Sequence, residues 1–282
     1  MVRLIGLGDD VTPTAVGFQQ SVHSPVDDLK VVGDGPGGSR TLFVGVRRKP
    51  SIGASQKPTV KLVADYLRVV NDHGAELEVG LWRLGLAVAA PHTPTDELAK
   101  LAYFARRQPD PEAFRMAVNA AKATTCKVRN RLTKVDETVA AAAPLAGITL
   151  IDTAARDELS WRLLRSLHII DLRLEGDDAA GRTDLVARLV PLAGDAAAAE
   201  DLRRHLNELP ADYAVGAAVV KEGILRRDLS RPNQRSCLAG VPRIVGGAPV
   251  ARGFASLPDT PGLDRWAARQ PGGAPAACRG TP

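Results

Sequence analysis

Cysteine is scarce in this sequence and widely scattered: Cys126, Cys237 and Cys278 are the three in 282 residues. So few thiols exclude a disulfide framework and a cysteine-rich zinc site. Aromatic residues are also few, at 4%, which argues against a surface that stacks single-stranded bases. No apolar run approaches the roughly 18 residues of a membrane span, and no secretory leader opens the chain. The expected compartment is therefore a reducing cytoplasm, with no membrane partner. The five histidines, His23, His73, His92, His168 and His205, form no pair at metal-ligand spacing. Neither a Gly-x-Ser-x-Gly elbow nor a lysine-bearing phosphate loop occurs.

Surplus charge is missing from most of the chain as well. The formal net charge is +5, but residues 231–282 alone carry seven arginines against Asp259 and Asp264. That excess accounts for the whole, and residues 1–230 are neutral, with thirty basic and thirty acidic groups. A polyanionic partner would have to read local clusters rather than a global field. The same C-terminal stretch is crowded with Pro, Gly, Ala and Arg and has neither a strand nor a helix period. It cannot bury enough apolar surface to offset its ordering entropy, so residues 230–282 are expected to be disordered. The abrupt change of character resembles out-of-frame translation of a GC-rich gene.

What is present reads as strands and helices in an informative order. In Asp27–Val32, Leu29 and Val31 share one face while Asp28 and Lys30 share the other. Gly33–Ser39 is turn chemistry. Leu42–Arg48 is apolar enough for a sheet interior and sends Phe43, Gly45 and Arg47 to one face. Pro58–Asn71 carries Val60, Val63, Leu67 and Val70 at helical spacing, with Gly74 as its end. Trp82–Ala89 is a third strand, so a helix crosses a small mixed sheet. Thr95 opens a helix to about Arg106, and Glu112–Ala123 and Cys126–Ala142 read as further helices.

Pro144–Ile151 reads as a boundary. Beyond it Leu159, Leu163, Leu167, Ile170 and Leu174 make a core-facing helical stripe. Thr183–Leu192, Ala196–Leu209 and Ala214–Leu229 follow, the last as a helix or a strand plus helix. The expected fold class is α+β: a small mixed sheet with flanking helices over residues 1–145, a helical domain over 150–229, and the tail over 230–282.

The hairpin holds the constellation with catalytic potential. A Mg²⁺ centre can be built from one carboxylate on a strand and an acid-x-lysine pair on the next, whose i, i+2 spacing aims both at the first acid. The two acids hold the hard cation and the lysine orients a water. Asp28 supplies the first acid and the metal ligand. Arg47 stands in the lysine's place, Gly45 stands in the second acid's place, and Lys49 substitutes if the strand shifts by two residues. One carboxylate holds Mg²⁺ poorly, and arginine does not deprotonate to act as a base. Three readings follow: a live centre with Asp28, Arg47 and Lys49 as catalytic residues, a binding-only version of the same fold, or an edge hairpin with solvated charges.

Three segments carry a resemblance: Gly17-Phe18-Gln19-Gln20, Asp27-Asp28-Leu29-Lys30-Val31, and Val44-Gly45-Val46-Arg47-Arg48-Lys49-Pro50. Together they resemble the opening of the restriction-endonuclease-like (PD-(D/E)XK) effector domains of prokaryotic anti-phage and STAND NTPase systems. In those families a Gly-aromatic-x-x-Gln helix precedes an Asp-Asp strand, and a Gln-Val-Lys or Glu-Val-Lys strand follows. Trp161-Arg162-Leu163-Leu164 through Ile169-Ile170-Asp171-Leu172 resembles the connector behind such a core. The resemblance covers roughly residues 15–228. It implies a restriction-endonuclease-like sheet, Mg²⁺ as cofactor, Mg²⁺-dependent DNA endonuclease chemistry, double-stranded DNA as substrate and an NTPase as partner protein. Gly45 and Arg47 depart from the pattern and make the metal site degenerate.

Between Lys100 and Lys134, nine basic residues stand against Asp110 and Glu112. Together with Arg48 on the hairpin, Arg106, Arg107, Arg115, Lys127, Arg129 and Arg131 are the candidate contacts to a duplex phosphate backbone. The plainer reading of such helices is a solvated surface. The function expected from the sequence is a nucleic-acid-directed module of a bacterial defence-type protein. The alternative is a non-catalytic helical interaction or regulatory protein, or a truncated gene remnant.

Overall fold

The computed structural model describes residues 11–18, 26, 28–35, 37–120, 126–173, 180–215, 219–221 and 224, all within one compact unit, Met1–Gly240. The expected disordered tail, 230–282, lies outside the described residues.

Three strands open the fold. β1 (Thr12–Phe18), β2 (Leu29–Gly35) and β3 (Gly38–Arg47) form an antiparallel meander. The β2–β3 turn is tighter than the glycine-rich stretch suggests, because both strands run to its tip, where Gly35 pairs with Gly38. Gly38 takes φ +103°, a conformation open to a residue without a Cβ. Gly17 and Phe18 belong to β1 and not to a helix, a departure from the resembled pattern; Gln19 and Gln20 lie outside the described residues.

Helix α1 (Lys57–Asp72) then crosses to β4 (Trp82–Val88), which runs parallel to β3. Pro58 sits in the first turn of α1, where its missing N–H costs nothing. The short α2 (Gly74–Glu78) leads into β4. After β4 come α3 (Thr93–Arg106), α4 (Pro111–Ala120), α5 (Cys126–Ala142) and α6 (Thr153–Ser166). Thr95, expected as the cap of α3, is its third residue. His92 is the cap, and the Thr95 hydroxyl accepts the His92 N–H at 3.0 Å in a capping box. Asp152 caps α6 by accepting the Ala155 N–H at 2.7 Å.

The expected helical stripe past Leu163 is overturned. The helix stops at Ser166 and the chain becomes β5 (Leu167–Asp171), parallel to β4. A short apolar run carries both periods, and here the open edge of β4 recruits Leu167-His168-Ile169-Ile170-Asp171 as a strand. The chain continues through α7 (Ala180–Ala193), α8 (Ala196–Val215) and β6 (Val219–Lys221). The described strands make one six-stranded mixed sheet, ordered β5-β4-β3-β2-β1-β6, with helices flanking it. This is an α+β fold.

The boundary read near residue 145 separates nothing in this architecture, since β5 and β6 complete the sheet begun by β1–β4. One apolar core joins Phe43, Leu84 and Val88 of the sheet to Tyr66 and Leu67 of α1, Leu101 of α3, Val139 of α5 and Trp161 and Leu164 of α6. The Trp161 indole N–H donates to the Ala105 carbonyl at 3.2 Å, so the α3–α6 contact buries no unsatisfied donor there. Burying each such side chain contributes about 1.5–3 kcal/mol. Val31, Leu42, Val44, Ala87 and Ile170 form a second cluster on the other sheet face. Leu189, Ala193, Ala199 and Leu202 hold α7 and α8 together in a third.

Candidate functional site

Pairing of Leu29 with Val44 sets the hairpin register and carries Asp28 to the level of Gly45, beside the end of β3. Strand alternation puts Phe43, Gly45 and Arg47 on the face that α1 covers. Asp28 and Arg47 meet there. The Arg47 Nη1 donates to Asp28 Oδ2 at 2.5 Å, and the Val46 N–H donates to the same oxygen at 2.7 Å. Arg47 Nη1 also donates to the Val46 carbonyl at 2.6 Å. The Asp28 and Arg47 side chains are 31% and 29% exposed, so the pair is half shielded and worth more than a surface ion pair. The Arg47 Nε is buried without a hydrogen-bond partner.

Gly45 is explained by its neighbours on α1. A Cβ there would stand 2.6 Å from Leu62 Cδ1 and 2.7 Å from the Tyr66 hydroxyl. That hydroxyl accepts the Gly45 N–H at 2.9 Å and donates to the Gly85 carbonyl. Burial raises the Tyr66 phenol above its ordinary range, so it stays a neutral donor. The slot in which a second metal-binding acid would stand is filled by an aromatic side chain.

The residues present do not fit a divalent cation. One Asp28 oxygen is engaged by two donors, one of them a guanidinium, and position 45 has no room for a carboxylate. Among the described residues no group of three His, Cys, Asp or Glu side chains is arranged to hold a metal ion. Lys49 follows the end of β3, exposed, and is not part of the Asp28–Arg47 pair.

The basic candidates separate into two sets. Arg115 is tied to Asp136 at 2.9 Å and Asp157 at 2.6 Å, and Arg131 to Glu97 at 3.0 Å. Their charges are spent on joining α4, α5, α6 and α3. Arg106 is partly buried and donates to the Leu167 carbonyl at 2.8 Å. Arg107 is exposed, with its guanidinium 5.2 Å from the Tyr103 ring centroid. Arg48, Lys127 and Arg129 are exposed.

Three residues not selected from the sequence gather at the same end of the sheet. His92 caps α3, Asp96 lies in its first turn, and Asp171 ends β5, paired with Val88. Burial lowers the His92 pKa, and the charges of Lys49 and Arg131 lower it further. Burial raises that of Asp96; Lys100 opposes the shift and Asp171 adds to it. The Pro-His-Thr-Pro-Thr break before α3 is the signal that the sequence holds for this corner.

The chain matches no family model, no curated protein and no solved structure. No helix among the described residues is long and apolar enough to cross a membrane.

Proposed function

We propose that this protein is a non-catalytic nucleic-acid-binding module on a nuclease-like sheet, and that it grips the phosphate backbone of duplex DNA at the C-terminal end of β3. One observation carries the reading: Arg48 and Lys49 stand exposed at the end of β3, while Asp28, the carboxylate beside them on the hairpin, is engaged by Arg47. A phosphate approaching the end of β3 meets two exposed cations, and the carboxylate on the hairpin is already held by a guanidinium. Lys127, exposed in the first turn of α5, is a further candidate contact. Phosphate contacts of this kind fix position on a duplex and carry little sequence information.

The test is a gel-shift series with duplex DNA between about 50 and 200 mM salt, using wild type and an Arg48→Ala/Lys49→Ala double variant. Wild type should bind, weakening steeply with salt. The double variant should lose affinity and flatten the salt slope by about 0.9 for each phosphate contact removed. Absence of binding at low salt would sink the proposal. Plasmid nicking with Mg²⁺ or Mn²⁺ that disappears in Asp28→Ala would show a live nuclease instead.

A further inference from the structure

A cleft opens at the other end of the sheet. Trp82, Arg83, Leu167 and His168 stand at the start of the parallel strands β4 and β5, whereas Arg47 pairs with Val88 at their far end. This cleft has a volume of about 330 Å³ and is lined by Arg83, Arg106, Arg162 and Arg165 against Glu78 and Glu158. Four guanidiniums against two carboxylates make the lining rich in positive charge, in a concave space within the usual range for small-ligand sites.

Three of these guanidiniums are positioned by neutral groups. Arg106 donates to the Leu167 carbonyl and Arg162 to the Val70 carbonyl, each at 2.8 Å. Arg165 lies over the Trp161 ring, 5.1 Å from its centroid. Such contacts fix the planar forks and leave their charge in place. Gly74 makes room for this arrangement, since a Cβ there would stand 2.5 Å from Arg162 Nη2. Burial and the charge of Arg83 together lower the Arg106 pKa, as expected where like charges face each other in a poorly hydrated space. Val70, Leu77, Trp82 and Trp161 give the cleft an apolar side-chain content beside its cations.

We infer that this cleft binds a phosphate-bearing small molecule of nucleotide size. Planar, fixed guanidiniums match phosphate oxygens two at a time, and a bound dianion would offset the excess of positive charge in the lining. The apolar lining accepts the uncharged part of the ligand. His168, kept neutral by burial and by Arg106 and Arg83, offers a ring N–H as a further donor. The site is separate from the DNA-binding edge and stands or falls without it.

The experiment is calorimetric titration of the full chain with adenosine monophosphate, ribose 5-phosphate, inorganic phosphate and adenosine. The phosphorylated probes should bind with one-to-one stoichiometry and a dissociation constant of about 1 mM or tighter, and adenosine should not. The ranking of the three phosphorylated probes tells whether base, sugar or phosphate supplies the recognition. Arg83→Gln and Arg165→Gln should each weaken binding about tenfold, while Arg48→Ala/Lys49→Ala should leave it unchanged. On the wild-type chain, the His168 ring-proton titration should move to higher pH when the best probe is bound, a readout that does not depend on any variant folding. No saturable binding by any phosphorylated probe, or equal binding of adenosine, would overturn the inference.

Discussion

Tyr66 occupies the space that a side chain at position 45 would need: a Cβ on Gly45 would come within 2.7 Å of its hydroxyl. The geometry of this one pair sets how this end of the sheet can behave. The phenol joins β3 and β4 through the Gly45 N–H and the Gly85 carbonyl, and in doing so it closes the slot in which a metal-binding acid would stand.

Gly45→Ala should therefore destabilise the fold. The added methyl meets Leu62 and Tyr66 in a packed region, and overpacking of that kind costs about 1–3 kcal/mol. A urea titration should show a lower midpoint at unchanged slope. Gly45→Asp should destabilise further and should not create Mg²⁺ binding, which a calorimetric titration with the metal would reveal.

Tyr66→Phe removes the hydroxyl and leaves a buried N–H and carbonyl to find each other or go unmet, at a cost of about 1–3 kcal/mol. It also changes the alkaline limit of stability. The folded-state pKa of Tyr66 is raised above the ordinary 10.0, so above that pH the unfolded chain releases a proton that the folded chain retains. Stability should be flat below this point and fall as pH rises beyond it. The fall should be shallower in Tyr66→Phe, measured as urea midpoints from neutral pH upward.

The hairpin, its register-dependent faces and the crossing helix were legible because each follows a period that residues declare locally. Alternation along β3 places Arg47 on the face that Asp28 also reaches, and the structure joins the two. Gly45 was legible as a missing ligand but not as a packing requirement, since its reason lies on Tyr66, 21 residues away. Arg115 looked like a surface cation for the same reason: its two carboxylates lie 21 and 42 residues downstream, on other helices. Strand β5 hid inside a helical stripe, because Leu167 and Ile170 satisfy either period until the edge of β4 chooses. Local pattern gave the elements, whereas partners distant in sequence decided which charges and glycines were structural.

Arg115 offers a sharp contrast with the exposed cations. Its guanidinium bridges Asp136, whose side chain is 8% exposed, and Asp157, at 20%. Arg115→Ala strands both acids in a partly desolvated position, and removing one partner of a buried pair costs about 3–5 kcal/mol. With Arg115 itself 24% exposed, the lower end, about 3 kcal/mol, is expected. The loss should appear in thermal unfolding of the free protein. A variant that unfolds normally yet loses DNA affinity would instead make Arg115 a phosphate contact.

The acid limit of stability should be set in part by His168. Burial, with Arg106 and Arg83 close by, pushes its pKa from 6.5 down to about 3 in the folded chain. Between those two values the unfolded state binds a proton that the folded state refuses, so stability is intact above about pH 6.5 and declines as pH falls toward 3. His168→Gln keeps a polar side chain and removes the titration, so its urea midpoint should vary less across this interval than that of wild type. A phosphate held in the neighbouring cleft should have a similar flattening effect on the wild-type curve, because a bound anion offsets the repulsion from Arg106 and Arg83 and lets the folded chain accept the proton at higher pH. Parallel acid limbs for wild type and His168→Gln would show that the imidazole is not the group responsible.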